Sequence, residues 1–297
     1  MPFSFPTALA ELPPWLQQPS VPAAVAISVV FGVLYVASIY LVSAIFSLPD
    51  ASVHDRNHPH VVKQRTWGAA IATIISLVLS SLLLRQWGQP QNIAASLGLA
   101  PSRIMPSVVV ATVLTATIYL GPLVLDYLDG GVEWASLRRV PETLWSQPLA
   151  MRNFVVGPVT EELVFRSSVV ALWTASGIST NRTIFLSPLI FGLAHIHHAV
   201  SQYRDGRPLK VVLLGTVFQF VYTTLFGWFA VALLIRTKSI GGPVCAHAFC
   251  NYQGLPDLSR AQRYPQYKYL IWLAFVVGLC VFFVLFEPMT REGVFVE

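Results

Sequence analysis

Three short stretches of this sequence turn polar where everything around them is apolar, and those are the places equipped for chemistry. The first is Gly157-Pro158-Val159-Thr160-Glu161-Glu162-Leu163-Val164-Phe165-Arg166. Thr160 reads as a helix cap, which puts Glu161 and Glu162 in a first turn, where the helix dipole favours anions. Glu162 and Arg166 stand i,i+4 and can pair on one face. Glu161 projects about 100° away from Glu162 and is left for another task. The second stretch is Phe191-Gly192-Leu193-Ala194-His195-Ile196-His197-His198. Its three imidazoles suit acid–base or metal work. His195 is the deepest of them, and His197 and His198 are alternatives nearer the loop. The third holds His247 and Asn251, again i,i+4 and so on one helical face, where an imidazole and an amide make a donor pair suited to an oxyanion.

Each stretch has a plainer reading: a cap with a structural ion pair, a satisfied core histidine, an interhelical hydrogen bond of the kind that binds membrane helices together. Taken together they supply a carboxylate base, an imidazole and two donors from three helices, a set sufficient to add water to an amide. Glu161 deprotonates the water and His195 helps to position it. His247 and Asn251 stabilise the tetrahedral oxyanion, while Glu162 and Arg166 hold the helix and tune Glu161. Each charge at the centre of a membrane helix costs roughly 2.5–3.5 kcal/mol on insertion scales, so groups kept there are candidates for function.

The elements that must position these groups are read from composition. Of 297 residues, 55% are hydrophobic and 11% charged, against about 25% charged in a soluble domain. The mean hydropathy is +0.62. With so little polar surface the chain is expected to fold in lipid, as an all-α, polytopic transmembrane bundle of about eight helices. At roughly 20 apolar residues per span, the runs are Val21 to Leu48, closed by Pro49-Asp50, then Thr66 to Leu84, Met105 to Leu125, and Thr143 to Ala175, interrupted at Gly157-Pro158. Thr183 to Ala199, Leu209 to Ile235, the short semi-polar Gly241 to Gly254, and Tyr269 to Phe286 follow. Residues 1–20 form an N-terminal tail, and 21–297 one transmembrane domain with its catalytic core at 153–257. The tail has no Lys or Arg, whereas a cleaved signal peptide needs a basic n-region, so the first run is expected to be a retained span. Trp15, Trp67, Trp87, Trp134 and Trp145 fall near helix ends, as interfacial anchors do.

The net charge of +5 does not indicate nucleic-acid binding, because the basic residues lie singly in short loops where lipid headgroups are the natural partner. Eight helices put both termini on one side. Loops on that side hold Arg85, Arg103, Arg182, Arg236, Lys238 and Arg291, while the opposite loops hold twice as many basic residues, Arg56, Lys63, Arg65, Arg152, Arg204 and Arg260 among them. The positive-inside rule then makes the termini lumenal and the opposite loops cytosolic. Cys245, Cys250 and Cys280 form no C-x-x-C and no paired framework, so neither disulfides nor a thiolate metal site is expected.

The pattern Glu161-Glu162-x-x-x-Arg166, Phe191-x-x-x-His195 and His247-x-x-x-Asn251, with the flanking words Thr160 to Arg166 and Asn251-Tyr252-Gln253-Gly254-Leu255-Pro256-Asp257, resembles the type II CAAX prenyl endopeptidases. These are the Ras-converting branch of the ABI family of intramembrane glutamate proteases, in its eukaryotic form. The resemblance covers residues 153–257 and implies a multi-pass enzyme of the endoplasmic reticulum, its site open to the cytosol, that removes the last three residues from prenylated CAAX proteins such as small GTPases. By position it makes Glu161 and His195 the water-activating pair and His247 and Asn251 the oxyanion hole, with no metal and no cofactor. Two rivals stand beside it. One is a zinc protease with Glu161, His195 and His247 as ligands, which lacks an H-E-x-x-H and has in Asn251 a poor fourth ligand. The other is a transporter or scaffold, for which the sequence offers no paired inverted halves.

Overall fold

The computed structural model describes residues 17–46, 57–88, 92–131 and 140–295. The described residues contain helices and no strand, so the all-α bundle is borne out. The long helices are α1 (Val21–Ile45) and α2 (Pro59–Gln86), followed by the short α3 (Ile93–Ser96) and by α4 (Pro101–Ile118) and α5 (Leu120–Leu128), which join at Tyr119. After α6 (Val140–Ser146) comes α7, a continuous helical rod over residues 148–175. Then come α8 (Thr180–Ala194), α9 (His197–Arg204), α10 (Leu209–Thr237), α11 (Gly241–Gln253) and α12 (Lys268–Thr290). The Pro49-Asp50 stop, Trp15 and Trp134 lie outside the described residues, as does the side chain of Trp145.

Six stretches among the described residues are long and apolar enough to cross a membrane: α1, α2, 93–118, 180–204, α10 and 265–290. The two runs missing from that set are α7 and α11. At 1.5 Å per residue, the 13 residues of α11 extend about 20 Å, short of a hydrocarbon core of about 30 Å. The rod α7 carries two carboxylates and a guanidinium. The elements least fitted to lipid are therefore the ones that carry two of the three polar stretches.

Packing follows the rule that lipid imposes. Helix α2 turns Gly68, Ala69, Ala72, Thr73, Ser76 and Ser80 inward and leaves Ile71, Ile74, Val78 and Leu79 outside. With hydrocarbon as solvent, outward aliphatic groups carry no penalty, and small inward residues let backbones approach. A Cβ at Gly68 would sit 2.6 Å from the carbonyl oxygen of Ser38, so α1 and α2 can meet this closely only with glycine there. Ser28 on α1 donates to Ala24 O and accepts from the Trp173 indole at 3.0 Å, tying α1 to α7. Phe31, Tyr35, Leu84, Phe165, Leu172 and Phe191 close the core around that joint. On the other side, α11 packs on α4 and α10, with Ser107 donating to Ser239 at 2.9 Å. Trp67 is exposed near the start of α2, as an interfacial anchor would be. Trp87 is not an anchor, because its side chain is buried with Leu83, Leu84 and Leu97.

Candidate active site

Gly157-Pro158 does not break the fourth run. Pro158 has no N–H to offer the carbonyl four residues back, and the rod absorbs the loss by widening. Residues Arg152–Val156 form a π turn, and the Gly157 N–H donates to Arg152 O, five residues earlier. A Cβ on Gly157 would lie 2.9 Å from that oxygen, so the wide turn needs glycine. A second π segment spans Leu163–Ser168, where the Ser168 hydroxyl donates to Leu163 O at 3.1 Å. Between them sits Gly157–Glu162, six residues of α-helix carrying both carboxylates. Such π insertions occur often at functional sites. Thr160 is consequently not a cap. It lies inside a continuing helix, donating to Val156 O at 2.7 Å and pairing with the Tyr35 hydroxyl at 2.9 Å.

Glu162 and Arg166 do pair across the second π segment, Oε1 to Nη1 at 3.1 Å, with both side chains at 0% exposure. The guanidinium also lies over two aromatic rings, 4.1 Å from the Phe191 ring centre and 5.4 Å from that of Phe226, an arrangement that stabilises a desolvated cation. The same Glu162 Oε1 accepts from His247 Nδ1 at 2.7 Å. A carboxylate can only accept, so this bond puts a proton on Nδ1 and turns Nε2 towards Glu161 Oε2, 3.8 Å away. That contact is longer than a direct hydrogen bond. Nothing in the sequence pointed to the Glu162–His247 bond, which closes over 85 residues.

His195 caps the C-terminus of α8, and its Nδ1 donates to Phe191 O at 2.8 Å, which leaves Nε2 as an acceptor. His197 is held in the same manner by Ala194 O at 2.5 Å, with its ring 4.0 Å from that of His198 and 5.6 Å from that of Tyr40. Asn251 Nδ2 donates to the backbone carbonyl of Asn153 at 2.9 Å, joining α11 to the first π turn.

Glu161, His195, His197, His198, His247 and Asn251 all line one cavity of about 390 Å³. Glu162 and Arg166 are sealed behind its wall. A second cavity of about 420 Å³ adjoins it, walled by Tyr119, Tyr222, Phe226, Cys250 and Leu255. Phe191, His195, His247 and Asn251 border both cavities; His197 and His198 border only the first. Position therefore separates His195 from its two neighbours, which residue type alone could not do. Among the described residues, no three His, Cys, Asp or Glu side chains are grouped so as to hold a metal ion. Tyr35, Arg65, Arg152 and Gln219 also face the first cavity. Tyr35 and Gln219 could have been found as single polar residues inside otherwise apolar runs.

An all-helical membrane bundle that gathers a carboxylate, imidazoles and a carboxamide around one internal cavity has the make-up of an intramembrane peptidase. Residues 143–253 match the family described as type II CAAX prenyl endopeptidase Rce1-like. The chain is 34% identical to CAAX prenyl protease 2 of Arabidopsis thaliana over 292 residues, covering 92% of this chain and 91% of that protein. It is 33% identical to CAAX prenyl protease 2 of Homo sapiens, over 86% of this chain and 78% of the relative. For CAAX prenyl protease 2 of Caenorhabditis elegans the figures are 32%, 82% and 91%. The chain belongs to the Rce1-like type II CAAX prenyl endopeptidase family. No solved structure matches it.

Proposed function

We propose that this chain is an intramembrane endopeptidase that removes the C-terminal tripeptide from prenylated CAAX proteins, small GTPases among them, using a carboxylate and no metal. The observation that carries the reading is the meeting of Glu161, His195, His247 and Asn251 on one cavity wall. Glu161 takes the proton of the attacking water, and the free Nε2 of His195 accepts its second hydrogen and aims it. Asn251 and His247 Nε2 stabilise the oxyanion. Because Nδ1 of His247 already donates to Glu162, the donor form of this histidine is the imidazolium, and Glu162 is the group that orients it. Arg166 holds Glu162 in place.

The adjoining cavity suits the prenyl chain, which gains about 0.8 kcal/mol for each CH₂ it buries. Aromatic and aliphatic walls from Tyr119 at the α4–α5 joint, Phe191 of α8, α10 and the end of α11 offer that burial, and the peptide then lies across His195 and Asn251 into the polar cavity. Arg65 and Arg152, on the wall of the polar cavity, lie in the opening turns of α2 and α7, on the side to which the sequence assigns the more basic set of residues, which supports a site open to the cytosol in a membrane of the endoplasmic reticulum.

A fluorogenic farnesylated peptide, assayed with purified wild type and Glu161→Ala with and without chelator, tests the reading. Cleavage by wild type alone, unaffected by exhaustive chelation and not raised by added zinc, is the expected result. Equal signals from both proteins contradict the Glu161 mechanism, and loss on chelation restored by zinc favours a zinc protease.

A further inference from the structure

Helix α10 is an apolar span interrupted by a single carboxamide, that of Gln219. An amide placed in hydrocarbon costs free energy unless it finds polar partners. Gln219 avoids the lipid by facing inward, where it lines the polar cavity. Packing fixes that direction. A Cβ on Gly192 of α8 would lie 2.9 Å from the Phe220 ring and 3.0 Å from Thr224 Oγ1, so α8 and α10 touch closely at this level. As successive spans the two helices run antiparallel. His195 stands three residues beyond Gly192, and Gln219 stands three residues before the midpoint of Phe220 and Thr224. Both steps run the same way along the bundle and measure about 4.5 Å at 1.5 Å per residue. Gln219 therefore comes level with His195.

The next turns of α10 serve the other cavity. Tyr222, Thr223 and Phe226 line it, and the Phe226 ring centre is 5.0 Å from that of His247. One helix thus borders the polar cavity at Gln219 and the prenyl cavity beyond it. The polar neighbour of Gln219 on the helix is the Tyr222 hydroxyl, one turn on. That hydroxyl occupies at most one of the two amide donors, so the second donor and the carbonyl remain for a ligand. With the prenyl chain in the second cavity and the cut at the wall shared by His195, His247 and Asn251, the residues beyond the cut enter the polar cavity. Their peptide N–H and C=O groups leave water there and need new partners. A carboxamide matches both groups of one peptide unit, whatever side chains flank it.

We infer that Gln219 is a substrate-binding residue whose carboxamide hydrogen-bonds the main chain of the departing tripeptide, at one of the two peptide units beyond the scissile bond. The inference rests on the endopeptidase reading above and adds to it a contact from α10, a helix that supplies none of the four groups assigned to the chemistry.

Farnesylated CAAX peptides in which each of those two amides in turn is replaced by an ester test it. The ester removes one N–H and keeps the shape of the chain. Release of the tripeptide is read as kcat/KM with purified full-length protein in neutral detergent. On the all-amide peptide, Gln219→Met, which keeps the side chain's length and removes its amide, should lower kcat/KM about three- to tenfold at unchanged Tm, as loss of one hydrogen bond implies. One ester should cost wild type a similar factor and cost Gln219→Met nothing further, so that the two losses do not add. The other ester should leave the effect of Gln219→Met as it was. Losses that add on both esters overturn the inference, and they are the result expected of a residue that only holds helices together. An all-amide rate untouched by Gln219→Met overturns it as well. If Gln219→Met does not fold, Gln219→Asn decides, with the same non-additivity expected at one ester. Failure of wild type to cleave the all-amide peptide overturns the endopeptidase reading, whereas cleavage with additive losses overturns this inference alone.

Discussion

Two ion-pair clusters join distant parts of this chain, and they differ in what surrounds them. The inner cluster links Arg166, Glu162 and His247, bringing α7 and α11 together with no exposure of either member of the ion pair. The outer cluster binds the end of α5 to the 3-10 turn at Leu258–Arg263. There Asp129 accepts from Arg260, Arg263 and the Tyr264 hydroxyl, and Asp126 accepts from Arg260 at 2.8 Å. Arg263 is more than half exposed and the remaining ion-pair partners about a quarter. The outer cluster has the larger number of bonds. The Glu162–Arg166 pair of the inner cluster is closed off from solvent, so nothing there replaces a lost partner, and solvent and not bond count decides their weight.

The comparison can be broken at several points. The largest effect on stability is expected from Arg166→Ala, which strands a buried carboxylate at a cost of about 3–5 kcal/mol. Yield and Tm should both fall, and normal melting would show that the pair carries no such weight. Asn251→Ala leaves the inner ion pair untouched and should lower kcat by on the order of 10²–10³ if the amide is an oxyanion donor, with Tm little changed. His195→Ala should abolish cleavage in a folded protein and His197→Ala should be milder; the reverse order would reassign the imidazole. At the outer cluster, Arg260→Ala should leave activity intact and move Tm only slightly. The Tyr264 hydrogen bond, followed by Arg260, holds the Asp129 carboxyl below its ordinary value of 3.8. A lowered carboxylate stabilises above its unfolded pKa and loses that contribution as pH falls through the lower folded value. A melting series from pH 8 to pH 5 should therefore show no decline that Asp129→Asn removes.

The bundle was legible because apolar runs of span length report lipid burial directly. The site was legible for the complementary reason: Glu161, Glu162, Arg166, His195, His247 and Asn251 are polar where polarity is costly, and helical spacing paired Glu162 with Arg166. The rest depended on tertiary contact. The Glu162–His247 bond joins residues on separate helices, a relation that no local spacing records. Gly157-Pro158 reads locally as an interruption, yet a carbonyl five residues back satisfies the Gly157 N–H and the rod continues. Thr160 looked like a cap only while that interruption stood. Trp87 resembled an interfacial residue by position, and only packing shows that it is buried, in the same apolar cluster as Leu83, Leu84 and Leu97.

The measurement closest to the central claim is single-turnover cleavage of a farnesylated CAAX peptide by wild type and Glu161→Gln, each shown to be folded by its melting curve. Replacing the carboxylate with its near-isosteric amide keeps the cavity wall and removes only the base. The tripeptide is expected to be released by wild type and not by the variant, at equal Tm. Release at the wild-type rate by a folded Glu161→Gln protein would contradict it.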